Sequence, residues 1–267
     1  MEWLLSEIKI GWAYTVINLR ESAAERASFV MQIIGMALNN VAFIVVWILF
    51  IDVFGNLNGW GAAEVIALQG YNAFIFGLAF TFAGGLMPLR GMILNGGFDS
   101  LLLSPRALLT RAFTLDIRTS AIGDLLYGVI CVGIYIYLIG GGWYHALMLT
   151  MFAVPAFLIF VSILLISSSV AFFIADSEDL SRSIFELFFA PSMYPSGGFQ
   201  GMARFLLTFV IPSITVAGLP IELLSNFSWF WFAVIWILAF VWPCIAYWFF
   251  LQGLKRYESG NTIGARV

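Results

Sequence analysis

Few side chains in this sequence have the chemistry of a catalyst or an ion relay. The carboxylates Asp124, Glu186 and Glu222 lie in or beside apolar segments, where an acidic group can carry protons. Asp124 is close to the start of its segment, Glu186 lies only about two helical turns deep, and Glu222 falls outside. These positions favour a helix cap, a snorkelling group or a surface ion pair over a proton path.

Motifs for nucleotide binding and hydrolysis are absent from the sequence. There is no Gly-x-x-x-x-Gly-Lys-Ser/Thr loop, and Lys9 and Lys255, the only lysines, lie outside glycine-rich loops. A Gly-x-Ser-x-Gly turn, a His-Glu-x-x-His helix and a Cys-x-x-Cys pair are also missing. His145 is the single histidine, and Cys131 and Cys244 both fall in apolar segments. We therefore expect neither an enzyme nor a metal site, and no cofactor held by this chain.

The composition is that of a membrane protein. Hydrophobic residues make up 62% of the 267 positions and charged residues only 10%, and the mean hydropathy is +0.98. So few charges do not cover the surface of a soluble domain, whereas repeated apolar runs of about 20 residues match a hydrocarbon core about 30 Å thick. The net charge of −3 leaves no basic footprint for a nucleic-acid partner.

The apolar runs predict an all-α integral membrane fold with six transmembrane helices. Residues 1–28 form an amphipathic interfacial helix in this interpretation, because Leu5, Ile8, Trp12 and Val16 recur at helical spacing. A single transmembrane domain, residues 29–267, follows. Its clear spans are 29–51, 64–86, 121–139, 146–173 and 229–251.

The distribution of charge selects the topology. Suppose that the amino end, the 87–120 loop, the 174–182 link and the carboxyl tail are cytoplasmic. Then every one of the 12 lysines and arginines except Arg204 lies inside, as the positive-inside rule requires. Both termini of this multi-pass protein are therefore expected in the cytoplasm.

Two apolar runs, 183–194 and 205–211, are too short to span a bilayer on their own. If both crossed, Lys255 and Arg256 would face outward against the positive-inside rule. We therefore expect one run to cross and the other to enter from the outer side and return. Such irregular backbone is tolerated where protein or a water-filled cavity surrounds it.

The largest cluster of cations between two apolar segments flanks residues 93–106, which we call the 2–3 loop. Gly96-Gly97 breaks the preceding helix, Asp99 suits a helix start and Pro105 ends the piece. Phe98, Leu101 and Leu102 share one helical face, which requires a partner or the lipid surface. We expect a soluble partner to dock there; simple anchoring of the loop on the membrane is the alternative. The flanking cations are Arg90, Arg106, Arg111 and Arg118.

Several segments, in order along nearly the whole chain, resemble one family. Gly96-Gly97-Phe98-Asp99-Ser100-Leu101-Leu102-Leu103-Ser104-Pro105 is similar to the G-x-x-D-x-L-L-x-x-P loop of the six-span ABC-2 type permeases. These are the membrane subunits of ABC exporters whose ATPase is a separate polypeptide. Ser104 stands where many relatives have arginine, and Arg106 follows it. The other similar segments are Asn58-Gly59-Trp60-Gly61 with Glu64, Phe173-Ile174-Ala175-Asp176-Ser177-Glu178, Tyr194-Pro195, Phe209-Val210-Ile211-Pro212 and Gly218-Leu219-Pro220.

The resemblance implies partners and sites for them. The 2–3 loop would hold a coupling helix seated in a groove of the ATPase, formed by Gly96, Gly97, Phe98, Asp99, Leu101, Leu102, Pro105 and Arg106. Two ATPase copies, which bind ATP and Mg²⁺, would join two permeases, the second being the same chain or a homologous one. A re-entrant outer hairpin before the last span would involve Tyr194, Pro195, Pro212, Gly218 and Pro220.

The resulting hypothesis is a permease that exports an amphipathic drug-like compound, a lipid or a peptide across a bacterial inner membrane. Asn39, Asn40 and Asn72 are the candidates for the pathway lining, because polar amides in lipid face another helix or a wet cavity. A stand-alone carrier or channel, with Asp124 or Glu186 carrying ions, is one alternative. A membrane assembly or sensor protein without transport is the other.

Overall fold

The structure is a computed structural model that describes residues 2–174 and 177–257. Within these ranges all regular structure is helical apart from one isolated bridge between Leu57 and Trp60, so the predicted all-α class is confirmed. The helices are α1 (Glu2–Ala24), α2 (Arg26–Phe54), α3 (Ala62–Phe82), α4 (Leu86–Leu94), α5 (Asp99–Leu102), α6 (Leu108–Phe113), α7 (Ala121–Leu138), α8 (Trp143–Ser169), α9 (Glu178–Ser192), α10 (Gly201–Phe205), α11 (Gly218–Ser225) and α12 (Trp229–Leu254).

Five helices of the described part are long and apolar enough to cross a membrane. They are α2, α3, α7, α8 with the turn that follows it, and α12, and they coincide with the five clear predicted spans. The predicted total of six is not confirmed, because α9 has only 15 residues and is about 22 Å long. Ala175 and Asp176, which precede it in the sequence, lie outside the described residues, as does the tail with Arg266.

Contacts at its two ends give the course of α9. Glu178 accepts a 3.2 Å hydrogen bond from Arg90 of α4. Beyond the other end of α9, the carbonyl of Gly197 accepts a 2.8 Å hydrogen bond from Asn58, between α2 and α3. Residues 178–197 therefore run the full length of α3. We call the two ends of the helix bundle the Arg90 end and the Asn58 end.

The chain then stays at the Asn58 end until the last long helix begins. Gly201–Phe205 continues as a π-helical turn over Leu206–Val210, and α11 follows. Ser196, which follows α9, donates a 2.5 Å hydrogen bond to Glu222 of α11. The chain has therefore returned to the end of α9. The predicted outer hairpin falls on this segment, and its re-entry into the membrane stays a prediction.

Small residues let α3 and α7 pack closely. A Cβ at Gly70 would lie 2.2 Å from the Cβ of Cys131, and one at Gly128 would lie 2.6 Å from the carbonyl oxygen of Gly70. At Gly77 a Cβ would meet the carbonyl oxygen of Ala121 at 2.7 Å. Glycine along this line removes the steric barrier to helix contact, as is typical of membrane helix pairs.

The amino-terminal helix α1 packs on α6 and leaves an apolar face uncovered. Asn18 donates a 2.9 Å hydrogen bond to the carbonyl of Thr114, while Leu5, Ile8 and Trp12 are exposed. The predicted boundary between residues 28 and 29 lies inside α2, which begins at Arg26. The division into an interfacial helix and a transmembrane domain stays a prediction.

Candidate functional site

The 2–3 loop is a compact turn between α4 and α6. The helix α4 ends at Leu94, and Gly96 follows with φ of +74°, a left-handed conformation that favours glycine. Phe98 donates its backbone N–H to the carbonyl of Met92 at 3.1 Å, and the four-residue helix α5 begins at Asp99. The predicted break at Gly96-Gly97 and the predicted helix start at Asp99 are therefore confirmed.

Two of the predicted gripping side chains are buried inside the chain itself. Phe98 is 0% exposed and Leu101 is 2% exposed. The ring of Phe98 packs edge-on against Phe172, 5.3 Å between centroids, and against Tyr257 at 4.9 Å. Phe172, in the turn after α8, and Tyr257, after α12, cover Phe98, and Leu101 is buried as well. The docking role of these two side chains stays a prediction.

A hydrogen bond fixes this packing at its edge. The hydroxyl of Tyr257 donates to Oδ1 of Asp99 at 2.9 Å. Burial, followed by the hydrogen bond to Asp99 and the charge of that carboxylate, raises the pKa of Tyr257 to about 12. The hydroxyl therefore keeps its proton, and the bond its donor, throughout the physiological pH range. The 2–3 loop is in this way tied to the segment that follows α12.

The exposed tip of the 2–3 loop lies after the buried pair. Leu102 is 44% exposed and Leu103 is 86% exposed, and Pro105 and Arg106 are exposed beside them. Two apolar side chains with a cation next to them are typical of a protein contact surface with a polar rim. We call residues 102–106 the tip.

The other cations that flank the 2–3 loop make contacts within the chain. Arg90 pairs with Glu178, and Arg111 donates a 3.1 Å hydrogen bond to the hydroxyl of Tyr14. Arg118 lies over the rings of Phe76 and Phe80, at 5.8 and 5.6 Å from their centroids. These arginines hold helix ends together, so that Arg106 is the flanking cation placed at the tip.

The predicted hairpin residues lie together at the Asn58 end. Pro195, Pro212, Gly218 and Pro220 are all buried. A Cβ at Gly218 would lie 2.9 Å from the Cβ of Ser196, so only glycine fits this close approach. Tyr194 is half exposed, with its ring edge-on to Trp47 of α2 at 5.5 Å. Tyr194 therefore joins the hairpin segment to the first long helix.

An ion pair in this segment lines a cavity of about 550 Å³. Arg204 contacts Glu222 at 2.6 Å, and its guanidinium lies 5.4 Å from the ring centroid of Trp231. Glu222 therefore forms an ion pair, which is one of the roles expected from the sequence, but the pair is partly buried rather than on the surface. Glu186 forms a surface pair, with Arg182 at 3.6 Å.

The predicted pathway residues meet at one cavity of about 220 Å³ between α2, α3, α7 and α9. Asn39, Asn40 and Asn72 all line it, together with Gln69 and Asp124, and we call it the amide cavity. Its role as a pathway stays a prediction. Its walls are otherwise apolar and are completed by Met36, Phe43, Ala73, Phe76, Tyr127, Phe189 and Met193.

Asp124 occupies a different environment from the one predicted. It is 1% exposed, and its Oδ1 accepts a 2.6 Å hydrogen bond from Asn40. Ser120 and not Asp124 is the N-cap of α7, and a snorkelling group or a surface ion pair would reach water, so those interpretations are wrong for this residue. The signal available in the sequence was its helical register: Asp124 lies on the same face of α7 as Tyr127, Gly128 and Cys131, which are all buried.

Comparison with known proteins identifies the family. A family model described as ABC-2 family transporter protein matches residues 12–261, nearly the whole chain. No curated protein and no solved structure matched. The family consists of membrane components of transporters, not themselves catalytic, that normally pair with an ABC ATPase. This multi-pass membrane protein therefore belongs to the ABC-2 family of transporters, as its resemblance to the permeases predicted.

Proposed function

We propose that this chain is the permease subunit of an ABC exporter in a bacterial inner membrane. A separate ATPase, present in two copies, binds ATP and Mg²⁺ and docks on the tip. Two permeases, identical or homologous, form the pathway for an amphipathic drug-like compound, a lipid or a peptide. The Arg90 end and both termini lie in the cytoplasm, and residues 178–197 make the sixth crossing.

The observation that carries this proposal is the exposed tip on a buried anchor. Leu103 is 86% exposed, whereas Phe98, earlier in the same loop, is fully buried among aromatic rings. A loop that served only to connect two helices would not need both features. A docked ATPase would cover Leu102 and Leu103, and Arg106 would meet the polar rim of its groove.

The buried anchor provides a route for coupling. Phe98 contacts Phe172 in the turn after α8, and Phe172 packs against Phe250 of α12, 5.7 Å between centroids. A displacement of the tip is therefore passed to the ends of two long helices by rings in direct contact. Because packed interiors transmit strain rather than absorb it, α8 and α12 respond to the partner's movement.

The experiment replaces Leu103 with aspartate and purifies the permease from its native membranes. We expect Leu103→Asp to remove an ABC ATPase that copurifies with the wild type, because a charge enters an apolar contact. Met202→Asp is the matched control, since Met202 is 70% exposed but lies at the Asn58 end. An ATPase retained by Leu103→Asp, or lost equally from Met202→Asp, contradicts docking at the tip.

A further inference from the structure

The amide cavity contains a carboxylate that is only half satisfied. Oδ1 of Asp124 accepts the hydrogen bond from Asn40, but Oδ2 is buried and has no hydrogen-bond partner in the described part of the chain. A buried carboxylate oxygen without a donor is costly, because it has lost its water and gained nothing in return. The site is therefore complete only when another donor or a cation enters it.

The charges around the cavity favour a cation. Among the described residues its lining includes no lysine, arginine or histidine, and Asp124 is its only ionisable carboxylate. Asp124 lies in the first turn of α7, where the helix dipole stabilises a negative charge. Two other amides of the lining have hydrogen-bond partners elsewhere: Gln69 donates to the carbonyl of Met193 at 2.7 Å, and Asn72 accepts from Ser192 at 3.2 Å.

The apolar part of the lining indicates an organic cation rather than a metal ion. Phe43 and Phe189 line the cavity with Met36 and Met193, and aromatic faces attract ammonium groups. Phe76 also lines the cavity, but its ring already has the guanidinium of Arg118 5.8 Å from its centroid. Hard metal ions require several oxygen ligands, whereas no group of three or more potential metal-binding side chains occurs in the described residues.

The cavity is also accessible from the uncovered side of α2. Asn39 is exposed although it lines the cavity, and the apolar stretch of α2 has none of its residues buried within the chain. A molecule in the lipid can therefore enter the cavity from this side without passing through the packed α3–α7 contact, and it contacts the buried Asp124 once the side chains that cover this carboxylate move aside.

We propose that the amide cavity binds the protonated amine of an amphipathic molecule, with Asp124 as its counter-ion. The ammonium group donates to Oδ2 of Asp124 and lies against the rings of Phe43 and Phe189, while the alkyl part extends past Asn39. This inference rests on the proposed function in one respect, that the bound amine belongs to the transported class of compound.

The test uses octylamine and octanol, which share a chain but differ in charge, on the purified permease in lipid nanodiscs at pH 7. Calorimetry is expected to detect octylamine binding that Asp124→Asn weakens about 30-fold, the loss typical of removing one partner of a desolvated charge pair. Asp116→Asn, at an exposed aspartate outside the lining, is the matched control and is expected to bind octylamine as the wild type does. Equal octylamine affinity in the wild type and Asp124→Asn would overturn the proposal.

A second measurement needs only the wild type, in case Asp124→Asn does not fold. Dicyclohexylcarbodiimide labelling of Asp124, followed by mass spectrometry, is expected to be slowed by N,N-dimethyloctylamine, a tertiary amine that cannot form an amide with the activated carboxylate, and not by octanol. Equal protection by both compounds, or by neither, contradicts a cation site. The ATPase is absent from both measurements, so their failure leaves docking at the tip standing, and loss of docking leaves the binding result standing.

Discussion

Phe98 and Leu103 belong to the same short loop but lie in opposite environments. The first is packed between Phe172 and Tyr257, and the second projects away from the chain with 86% of its surface exposed. The buried ring of Phe98 determines whether the loop keeps its conformation, whereas the exposed side chain of Leu103 determines what the loop can bind. Function and stability can therefore be separated within the 2–3 loop.

Alanine substitutions test this separation. Phe98→Ala is expected to lower the free energy of unfolding by about 3–5 kcal/mol, because a buried phenylalanine leaves a cavity. Leu103→Ala is expected to change it by less than about 0.5 kcal/mol, as is usual for an exposed side chain. Denaturant titration of the purified protein, followed by tryptophan fluorescence, measures both. Similar losses for the two variants would contradict the assignment of anchor and tip.

For single residues, the sequence predicts which side chains share a helical face but not what surrounds that face. Helical spacing predicts that Phe98, Leu101 and Leu102 share one apolar face, whereas the structure buries Phe98 and Leu101 and exposes Leu102. Which of them meets a partner depends on Phe172 and Tyr257, which are far away in the chain. The surroundings of Asp124 were not predictable for the same reason, since its hydrogen-bond partner Asn40 lies on another helix.

Among the elements, α3 and α7 pack with their backbones in close contact. Glycines at positions 70, 77 and 128 bring their backbones together, and the amide cavity lies beside this contact, with Asn72 on α3 and Asp124 on α7. The packed α3–α7 pair therefore forms one side of the cavity.

A pair of glycine substitutions on α7 tests this packing. Gly128→Ala would place a Cβ 2.6 Å from the Cβ of Phe74, and we expect it to destabilise the protein by about 1–3 kcal/mol through overpacking. At Gly133 nothing lies within 4 Å of the added Cβ, so Gly133→Ala is expected to be neutral or to stabilise the helix by up to about 1 kcal/mol. Thermal unfolding in detergent compares them, and a Gly128→Ala protein as stable as Gly133→Ala would refute the close contact.

Long helices were predictable and the irregular segment was not. The five apolar runs of about 20 residues gave α2, α3, α7, α8 and α12 with small shifts at their ends. Residues 178–228 are built from short pieces whose positions depend on contacts with α3 and α4, such as Arg90 with Glu178. Composition alone carries no information about such contacts, so only the charge distribution predicts the number of crossings.

At the scale of the whole molecule, the tip and the amide cavity lie at different positions along the helix bundle. The tip lies at the Arg90 end, and the amide cavity lies among the long helices between the Arg90 and Asn58 ends. The aromatic contacts from Phe98 through Phe172 to Phe250 connect the tip to α8 and α12, and α8 in turn contacts α3, since Tyr71 donates a 2.8 Å hydrogen bond to the carbonyl of Leu149. Contacts through α8 therefore connect the 2–3 loop with α3, which forms one wall of the cavity.

The central claim is that a separate ATPase docks on the tip, and site-specific photo-crosslinking tests it most directly. A benzophenone amino acid replaces Leu103 in one variant and Met202 in another, and the adducts formed in native cells are identified by mass spectrometry. The account predicts that position 103 forms an adduct with an ABC ATPase and that position 202, at the Asn58 end, does not. Absence of the ATPase adduct at position 103, or an equal adduct at position 202, would contradict it.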